Sequence, residues 1–280
     1  MFRTWQPGMP PDRLNADLFE GALIIVRDLA PLSDMVHRAR TIVETVFDTD
    51  EPVSAEARLT PEQFTNAAKS ARRQVDNDHA IHQSWIQVLE AIGFRPQAVF
   101  GDRMRLRIVP SRAQARSTSA MPLAAHRDSW GAGIMAQVNW WLPLYPIGPS
   151  RTMLVWPELF RAPVANTSKT WDLAEAIAAR KSGRTDVPLL PVTTAAPEAD
   201  DAVPVDIEPG EMLAFSAAHL HGSVTDESGL TRLGLDTRTL WQDDLVHGRG
   251  APNVDGQTQQ LQWGWFKRLS DGKSATDTLI

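Results

Sequence analysis

The hydrophobic pattern of this chain changes its period near residue 94, and that change constrains the fold more than any other feature. Apolar residues between positions 31 and 47 recur at steps of three and four, which predicts an amphipathic helix. Thr60 followed by Pro61 predicts the start of a second helix that runs to about residue 73. Residues 79–92 predict a third helix and 22–27 a short buried strand, so 1–95 should be mostly helical.

Beyond residue 94 the chain is rich in proline, glycine and alternating apolar residues, which is typical of short strands. Strands are predicted at 97–109, 133–145, 152–156, 204–208, 211–221 and 230–240. The polar stretch 158–203 holds one expected helix at 171–181, and we interpret this stretch as an insertion and a candidate lid. Helices followed by many strands predict an α+β, mainly β fold, in which helices buttress an antiparallel β-sandwich or jelly roll.

A length of 280 residues is long for one domain and short for two. We predict a single domain over 1–280, with a mostly helical part at 1–95. The β core is expected at 96–245, interrupted by the insertion at 158–203. Residues 246–280 would then form a C-terminal extension.

The absence of cysteine excludes disulfides, thiolate metal sites, iron–sulfur clusters and cysteine nucleophiles. Any bound metal must therefore be held by histidine, aspartate or glutamate. The net charge of −6 argues against nucleic acid or an acidic membrane as a partner. The N-terminal segment has no apolar run of the secretory kind, and the uncharged stretch 129–150 is interrupted by three prolines. We therefore expect a cytoplasmic protein that does not cross a membrane.

Two candidate metal ligands stand two positions apart in the segment PLAAHRDSWGAG. On extended backbone, His126 and Asp128 would project from the same face. One imidazole and one carboxylate are two members of the 2-His-1-carboxylate set that binds non-haem iron and leaves coordination positions open. A weaker metal candidate, Asp78 with His79 and His82 on the third predicted helix, has no further ligand at helical spacing.

The second histidine is expected from the segment that follows the Pro209–Gly210 turn. A hairpin loop at 225–228 would place His221 directly opposite Arg232 on an antiparallel pair, so both would project into one cavity. His219 has the same strand parity as His221 and competes for the ligand role. The cross-strand arginine and the Gly-Ser that follows favour His221.

Taken together, His126-x-Asp128, His221-Gly222-Ser223 and Arg232 resemble the iron(II)/2-oxoglutarate-dependent oxygenases of the phytanoyl-CoA dioxygenase type. The resemblance covers roughly residues 100–240 and implies a double-stranded β-helix, a cupin-like jelly roll. It implies that the two histidines and the aspartate bind Fe(II), and that Arg232 pairs with the distal carboxylate of 2-oxoglutarate, which Ser223 would help to bind. Molecular oxygen would be the co-substrate in the hydroxylation of a small-molecule metabolite, with release of succinate and carbon dioxide.

The sequence matches the family pattern at Asp128 and departs from it in the turn after His221. Because Asp128 is not a small residue, the halogenating branch of the family, which leaves this ligand position open for chloride, is disfavoured. Thr225, Asp226 and Glu227 stand at the turn where many relatives have Pro-Asn, which weakens the expectation for local 2-oxoglutarate contacts.

Several residues are candidates for substrate contact. Alternation in the strands puts Gln137, Asn139 and Trp141 on one face, and it puts Arg238 on the same face as Arg232. Arginines cluster at 103–116, and those at alternating positions would present a cationic face that suits an anionic substrate; a solvated strand face is the alternative. Trp130 follows the metal motif closely, although tryptophans here are also typical of a core. The tentative substrate residues are Arg105, Arg107, Trp130, Gln137, Asn139, Trp141 and Arg238.

Two other functions fit the same residues. One is a metal-dependent cupin-type dioxygenase or isomerase that does not use 2-oxoglutarate. The other is a noncatalytic jelly roll that binds a small ligand. The effect of replacing Arg232 on activity would separate the first alternative from the oxygenase. The iron content of the protein would separate the second.

Overall fold

A computed structural model describes residues 2–111, 123–184, 186–198, 201–224 and 228–279. Arg112 and Arg116 of the arginine cluster lie outside these residues, as does the turn segment 225–227. The described chain has an α+β architecture dominated by a large, mainly antiparallel sheet, and this confirms the predicted fold class at that level. None of the described helices is long and apolar enough to cross a membrane.

The N-terminal part forms helices close to where the sequence predicts them. A Thr60 capping box begins α3 (Pro61–Asp76): the Gln63 backbone N–H donates to Thr60 Oγ1 over 3.2 Å, and the Gln63 side chain accepts from the Thr60 N–H over 2.9 Å. Asp78 caps α4 (His79–Ile92), which is followed by Gly93 with φ of 105°. The helices of this part are α1 (Pro11–Phe19), α2 (Ala30–Phe47), α3 (Pro61–Asp76) and α4 (His79–Ile92).

The described strands form two sheets. Strands of the large sheet are β1 (Phe2–Thr4), β2 (Leu23–Val26), β3 (Val99–Gly101), β4 (Arg105–Val109), β5 (Val138–Pro143), β8 (Met212–Ser216), β10 (Arg232–Trp241) and β11 (Lys267–Arg268). The small sheet has β6 (Met153–Val155), β7 (Val203–Pro204) and β9 (His221–Ser223). The order of the large sheet is β1-β2-β8-β5-β10-β3-β11, with β4 also paired to β10. Shorter helices follow the metal motif and the later strands: α5 (Ser129–Ala132), α6 (Leu173–Lys181), α7 (Gln242–Val246) and α8 (Ala275–Leu279).

Strand β5 shows how the large sheet separates two cores. Its even-numbered residues Val138 and Trp140 pack toward the helices, where Trp140 meets Trp85 edge-on with ring centroids 5.4 Å apart. Trp141 lies on the other face, in a cluster that fills the space between the two sheets. The members of that cluster are Leu23, Trp141, Met153, Val155, Val205, Ile207, Leu213 and Phe215. The predicted alternation along β5 is therefore confirmed.

The predicted hairpin that pairs His221 with Arg232 is wrong. The predicted strand 211–221 is interrupted after Ser216 by a turn, in which the His219 N–H donates to the Ser216 carbonyl over 3.0 Å. The chain changes sheets at this turn, so β9 pairs with β6, and His221 stands opposite Val155. Arg232 begins β10 in the other sheet and stands opposite Val109.

Of two other predicted strands, one is divided and one is shorter than expected. The predicted strand 97–109 is two strands, β3 and β4, and both pair with β10. The predicted strand 133–145 contains only β5, because the residues just before it form the short helix α5 and a turn that begins at Gly133. Gly133 has φ of 71°, a left-handed conformation that ends α5.

Candidate metal centre

His126 and His221 are far apart in sequence and are held together by a β-bridge. Their backbones exchange two hydrogen bonds, each 2.9 Å long, and their ring centroids lie 4.3 Å apart. Gly222 eases the close approach, since a Cβ at that position would stand 3.3 Å from the Ala125 backbone, a tighter contact than usual. The bridge therefore gives the two imidazoles a common direction.

Both imidazoles have one ring nitrogen committed to the backbone. His126 Nδ1 donates to the Ala124 carbonyl over 2.8 Å, and His221 Nδ1 donates to the His219 carbonyl over 3.0 Å. Such bonds fix the tautomer and leave Nε2 with its lone pair for a metal. Burial, and then the neighbouring His126, lowers the pKa of His221 to about 3, so this imidazole is neutral near pH 7. The neutral form is the one that binds metal.

Asp128 supplies a carboxylate beside the two imidazoles. Burial by itself would raise the pKa of Asp128, but Arg238 and then the two histidines lower it well below its usual value. Arg238 Nε donates to Asp128 Oδ2 over 2.8 Å, and Gln137 Nε2 lies 3.4 Å from the same oxygen. Oδ1 is buried without a hydrogen-bond partner and stands 3.3 Å from His126 Nε2. The carboxylate is thus charged, with Oδ1 free for a metal.

Ligand atoms of His126, Asp128 and His221 all lie within 4.8 Å of one another, and all three side chains are buried. Two imidazoles and one carboxylate are the donor set of the non-haem iron(II) facial triad, and the unpartnered Oδ1 shows that the carboxylate has capacity for a cation. These residues are a metal-binding triad that fits iron(II). In the described ranges no other group of three such side chains is similarly placed.

Arg232 lies in the same cavity as the triad, although it is on a different sheet from the one that carries His221. Its Nη2 donates to Ser223 Oγ over 2.8 Å, whereas Nη1 is buried without a hydrogen-bond partner. Burial, and then the charge of Arg107, lowers the pKa of Arg232 to about 10, so the guanidinium remains charged near pH 7. A half-buried cation whose Nη1 is buried and unpartnered fits an anionic ligand group.

The remaining cavity wall contains several of the residues that the sequence singled out. Asn139 and Trp141 line the cavity, whose volume is about 70 Å3. Gln137 does not line it but donates to Asn139 Oδ1 over 2.8 Å, which leaves Asn139 Nδ2 buried and unpartnered. Arg107 lines the cavity as well and forms an ion pair with Asp236, with an N–O distance of 2.7 Å. This wall therefore offers donors in addition to Arg232.

Other predicted residues lie away from the metal cavity. Trp130 is fully buried in a separate cluster, and its indole N–H donates to Asp255 over 2.6 Å, so its position does not support the predicted substrate contact. Arg105 forms an ion pair with Asp102 and lines a neighbouring cavity. The strand alternation on which its prediction rests is present, because Leu106 beside it is buried.

The other histidines considered as metal ligands make contacts that do not serve a metal. Both ring nitrogens of His219 face backbone carbonyls, those of Ser216 and Gly21, each at 3.2 Å, so His219 is not placed with the ligands. Asp78 of the weaker candidate caps α4 and forms an ion pair with Arg38 at 2.8 Å, while His82 contacts the Asp76 carbonyl. This second cluster is therefore not a metal site.

Sequence reasoning missed the ion pair that holds the metal motif. Arg127, between the two ligands, is almost completely buried and contacts Asp255 over 3.0 Å and the carbonyls of Leu159 and Ala162. Asp255 also accepts from the Val164 N–H over 3.0 Å. A charged residue flanked by two ligands was the available signal for Arg127, but nothing in the local sequence of the C-terminal extension marks Asp255.

Replacing Arg238 with glutamine is expected to weaken iron(II) binding by roughly 10- to 100-fold, because the carboxylate of Asp128 loses the partner that occupies Oδ2 and keeps it charged. The dissociation constant can be measured anaerobically by calorimetry. Arg38→Gln, which removes an arginine–aspartate pair far from the site, is the matched control and should leave the constant unchanged. Equal affinities for the Arg238 variant and the parent would show that Arg238 does not orient the ligand.

Comparisons with known proteins add little to this geometry. No family model matches the chain, and no curated protein sequence matches it.

Among solved structures, AviO1 from Streptomyces viridochromogenes Tue57 is 17% identical with a TM-score of 0.33, and the match spans only 60% of each chain. EctD from S. alaskensis in its apoform is 13% identical over 96% of this chain and 89% of its own, with a TM-score of 0.46. The epimerase SnoN, solved with Fe3+, alpha ketoglutarate and nogalamycin RO, is 13% identical over 82% of each chain, with a TM-score of 0.43. Likenesses of this extent assign neither a family nor an activity to the chain.

Proposed function

We propose that this chain is an iron(II)- and 2-oxoglutarate-dependent oxygenase, of the phytanoyl-CoA dioxygenase type, that hydroxylates a small-molecule metabolite. One observation carries the proposal: the buried triad shares a cavity with Arg232, whose Nη1 is buried without a partner. The two sheets packed over one apolar cluster are, in this proposal, the core of a double-stranded β-helix. Residues 1–280 would form one oxygenase domain.

Iron(II), when bound, supplies the activation of molecular oxygen that couples the decarboxylation of 2-oxoglutarate to oxidation of a C–H bond. His126, Asp128 and His221 would hold the metal on one side and leave its other side to ligands. The protein contributes binding, orientation and exclusion of water, as cofactor enzymes generally do. Burial of all three ligands, at 2%, 7% and 7% exposure, supports that exclusion.

Arg232 would bind the distal carboxylate of 2-oxoglutarate. A charge-assisted hydrogen bond from the buried guanidinium is strong because little water competes for it. Ser223 Oγ, which accepts from Arg232 Nη2 over 2.8 Å, would keep Nη1 directed at the ligand. Asn139 Nδ2, another unpartnered donor of a residue that lines the cavity, would serve the other carboxylate.

Replacing Arg232 with glutamine is expected to weaken 2-oxoglutarate binding by roughly 10- to 100-fold, the range of a lost charge-assisted hydrogen bond, without changing iron content. Anaerobic titration of the iron-loaded protein with 2-oxoglutarate measures the first quantity, and metal analysis measures the second. Arg38→Gln, which removes an ion pair with Asp78 and does not line the metal cavity, is the control and should bind 2-oxoglutarate like the parent. An unchanged affinity in the Arg232 variant would remove the co-substrate role from this residue.

The test of the function itself is succinate release. Purified protein with iron(II), ascorbate, oxygen and 2-oxoglutarate should form succinate slowly by itself and faster with the correct member of a metabolite panel. Tight iron binding without 2-oxoglutarate binding or succinate would contradict the proposal and favour a metal-dependent cupin-type enzyme. A protein that binds neither would favour a noncatalytic ligand-binding jelly roll.

A further inference from the structure

A second cavity, of about 250 Å3, adjoins the metal cavity. The two cavities share the lining residues Arg107, Leu123 and Arg238. Since Arg238 is also the hydrogen-bond partner of Asp128, a molecule in the second cavity would lie beside the metal ligands. The second cavity therefore adjoins the metal cavity on the side of Arg238.

One wall of this cavity is cationic. Four arginines line it, and none of its lining residues in the described chain is acidic; they are Arg105, Arg107, Arg180 and Arg238. Three of them form ion pairs with aspartates that do not line the cavity: Arg105, Arg107 and Arg238. For Arg180, the part of the chain that the structure describes supplies no ion-pair partner, so this cation is available to a ligand.

The pKa of Arg72, an α3 residue that does not line the cavity, reflects the charges of two arginines that do. Burial, and then the charge of Arg107, lowers the pKa of Arg72 to about 10; Arg180 acts in the same direction and Asp76 opposes it. Positive side chains thus crowd the region between α3, β4 and α6. An anionic group would relieve this repulsion.

The other wall is apolar and comes mostly from the insertion. Leu173, Ala176, Ile177 and Arg180 are spaced by three and four residues, so they occupy one face of α6. Ile177 is 45% exposed, so its apolar side chain is accessible to a ligand. Three further apolar residues complete the wall: Leu189, Leu190 and Trp265. The cavity thus combines an apolar surface with a cationic one.

We propose that this cavity is the substrate pocket and that it takes an amphiphilic anion, a carboxylate or phosphate attached to an apolar body. The anionic group would bind Arg180 and the arginines of β4, and the apolar body would pack against α6 and Trp265. This assignment rests on the proposed oxygenase function, because a molecule in this pocket would lie next to the metal cavity. Its binding chemistry can be tested without turnover.

The experiment is calorimetric titration of the full-length protein with four eight-carbon probes: octanoate, octyl phosphate, octanol and octylammonium. It is run on the protein as purified and again after anaerobic loading with iron(II) and 2-oxoglutarate. Both anions should bind, and the neutral and cationic probes should bind at least about tenfold more weakly, because a charge-assisted bond is lost or reversed.

Substitutions in the cavity show whether the probes bind there. Arg180→Gln should weaken both anions by about tenfold while octanol is unaffected, and Ile177→Ser should weaken every probe. Arg184→Gln is the matched control, since this arginine pairs with Asp186 near the same helix and does not line the cavity. Octanoate should bind equally well after loading with iron(II) and 2-oxoglutarate, which would occupy Arg232; this result separates the pocket from the 2-oxoglutarate position.

Three results would overturn the assignment: no binding of either anion, equal affinities for octanol and octanoate, or equal effects of Arg180→Gln and Arg184→Gln. Failure of the oxygenase proposal would look different. In that case 2-oxoglutarate would not bind and succinate would not form, while the titrations of the protein as purified would still report whether the pocket selects amphiphilic anions.

Discussion

Replacing His221 with alanine is expected to abolish stoichiometric iron binding and to lower succinate formation by more than about 100-fold. The triad loses one of its three donors, and loss of even an outer-sphere partner of a metal ligand costs roughly 10- to 100-fold in affinity or activity. Anaerobic iron titration and the succinate assay measure the two effects. Chelation of the metal from the parent protein should abolish activity, and added iron(II) should restore it.

The controls for this prediction separate metal loss from unfolding. His221→Gln keeps most of the side-chain volume in a buried position, so a folded but iron-free protein is expected from this variant. His79→Ala changes an exposed histidine on α4 and should retain full iron content. His219→Gln should also retain iron, because both nitrogens of His219 face backbone carbonyls. Full iron occupancy in the His221 variants would remove His221 from the ligand set.

Replacing Asp255 with alanine is expected to lower the free energy of unfolding by about 3–5 kcal/mol, since it leaves the buried charge of Arg127 without its partner. The Asp255 carboxylate also accepts from the indole of Trp130 and from the Val164 N–H, and these donors would lose their acceptor. Denaturant unfolding with a constant m-value measures the change. Asp255→Asn, which keeps an acceptor oxygen, should lose less.

An exposed ion pair provides the matched comparison for Asp255. Asp186→Ala removes the partner of Arg184, and both side chains are more than half exposed, so the loss should be below about 1 kcal/mol. Weaker iron binding should accompany the Asp255 change alone, because Arg127 lies between the ligands His126 and Asp128. A loss below 1 kcal/mol at Asp255 would mean that the backbone carbonyls around Arg127 suffice to hold its charge.

The helical part was well predicted because its signals are local. The Thr60–Pro61 start and the spacing of apolar residues in 31–47 depend on hydrogen bonds and contacts within a few residues. Alternation along β5 was predicted for the same reason, since side chains of a strand point to opposite faces regardless of its partners.

Strand pairing could not be read in the same way. The sequence suggested one hairpin in which His221 faces Arg232, but the turn after Ser216 carries the chain into the second sheet. Which strands pair depends on contacts between distant segments, and a short run of residues such as Ala217–Leu220 does not reveal a change of sheet. Arg232 nevertheless lines the metal cavity, because the two sheets face each other across it.

The local sequence determined which side chains were available: two histidines and an aspartate as nitrogen and oxygen donors in a chain without cysteine, and an arginine for a carboxylate. Only the folded chain brings them together, through the bridge between His126 and His221, and only it shows the contacts of Arg238 and Asp255 with the metal motif. The reason is physical. Ligand identity is a property of each residue, whereas the burial, charge state and direction of a ligand depend on groups that are remote in sequence and meet only when the sheets pack.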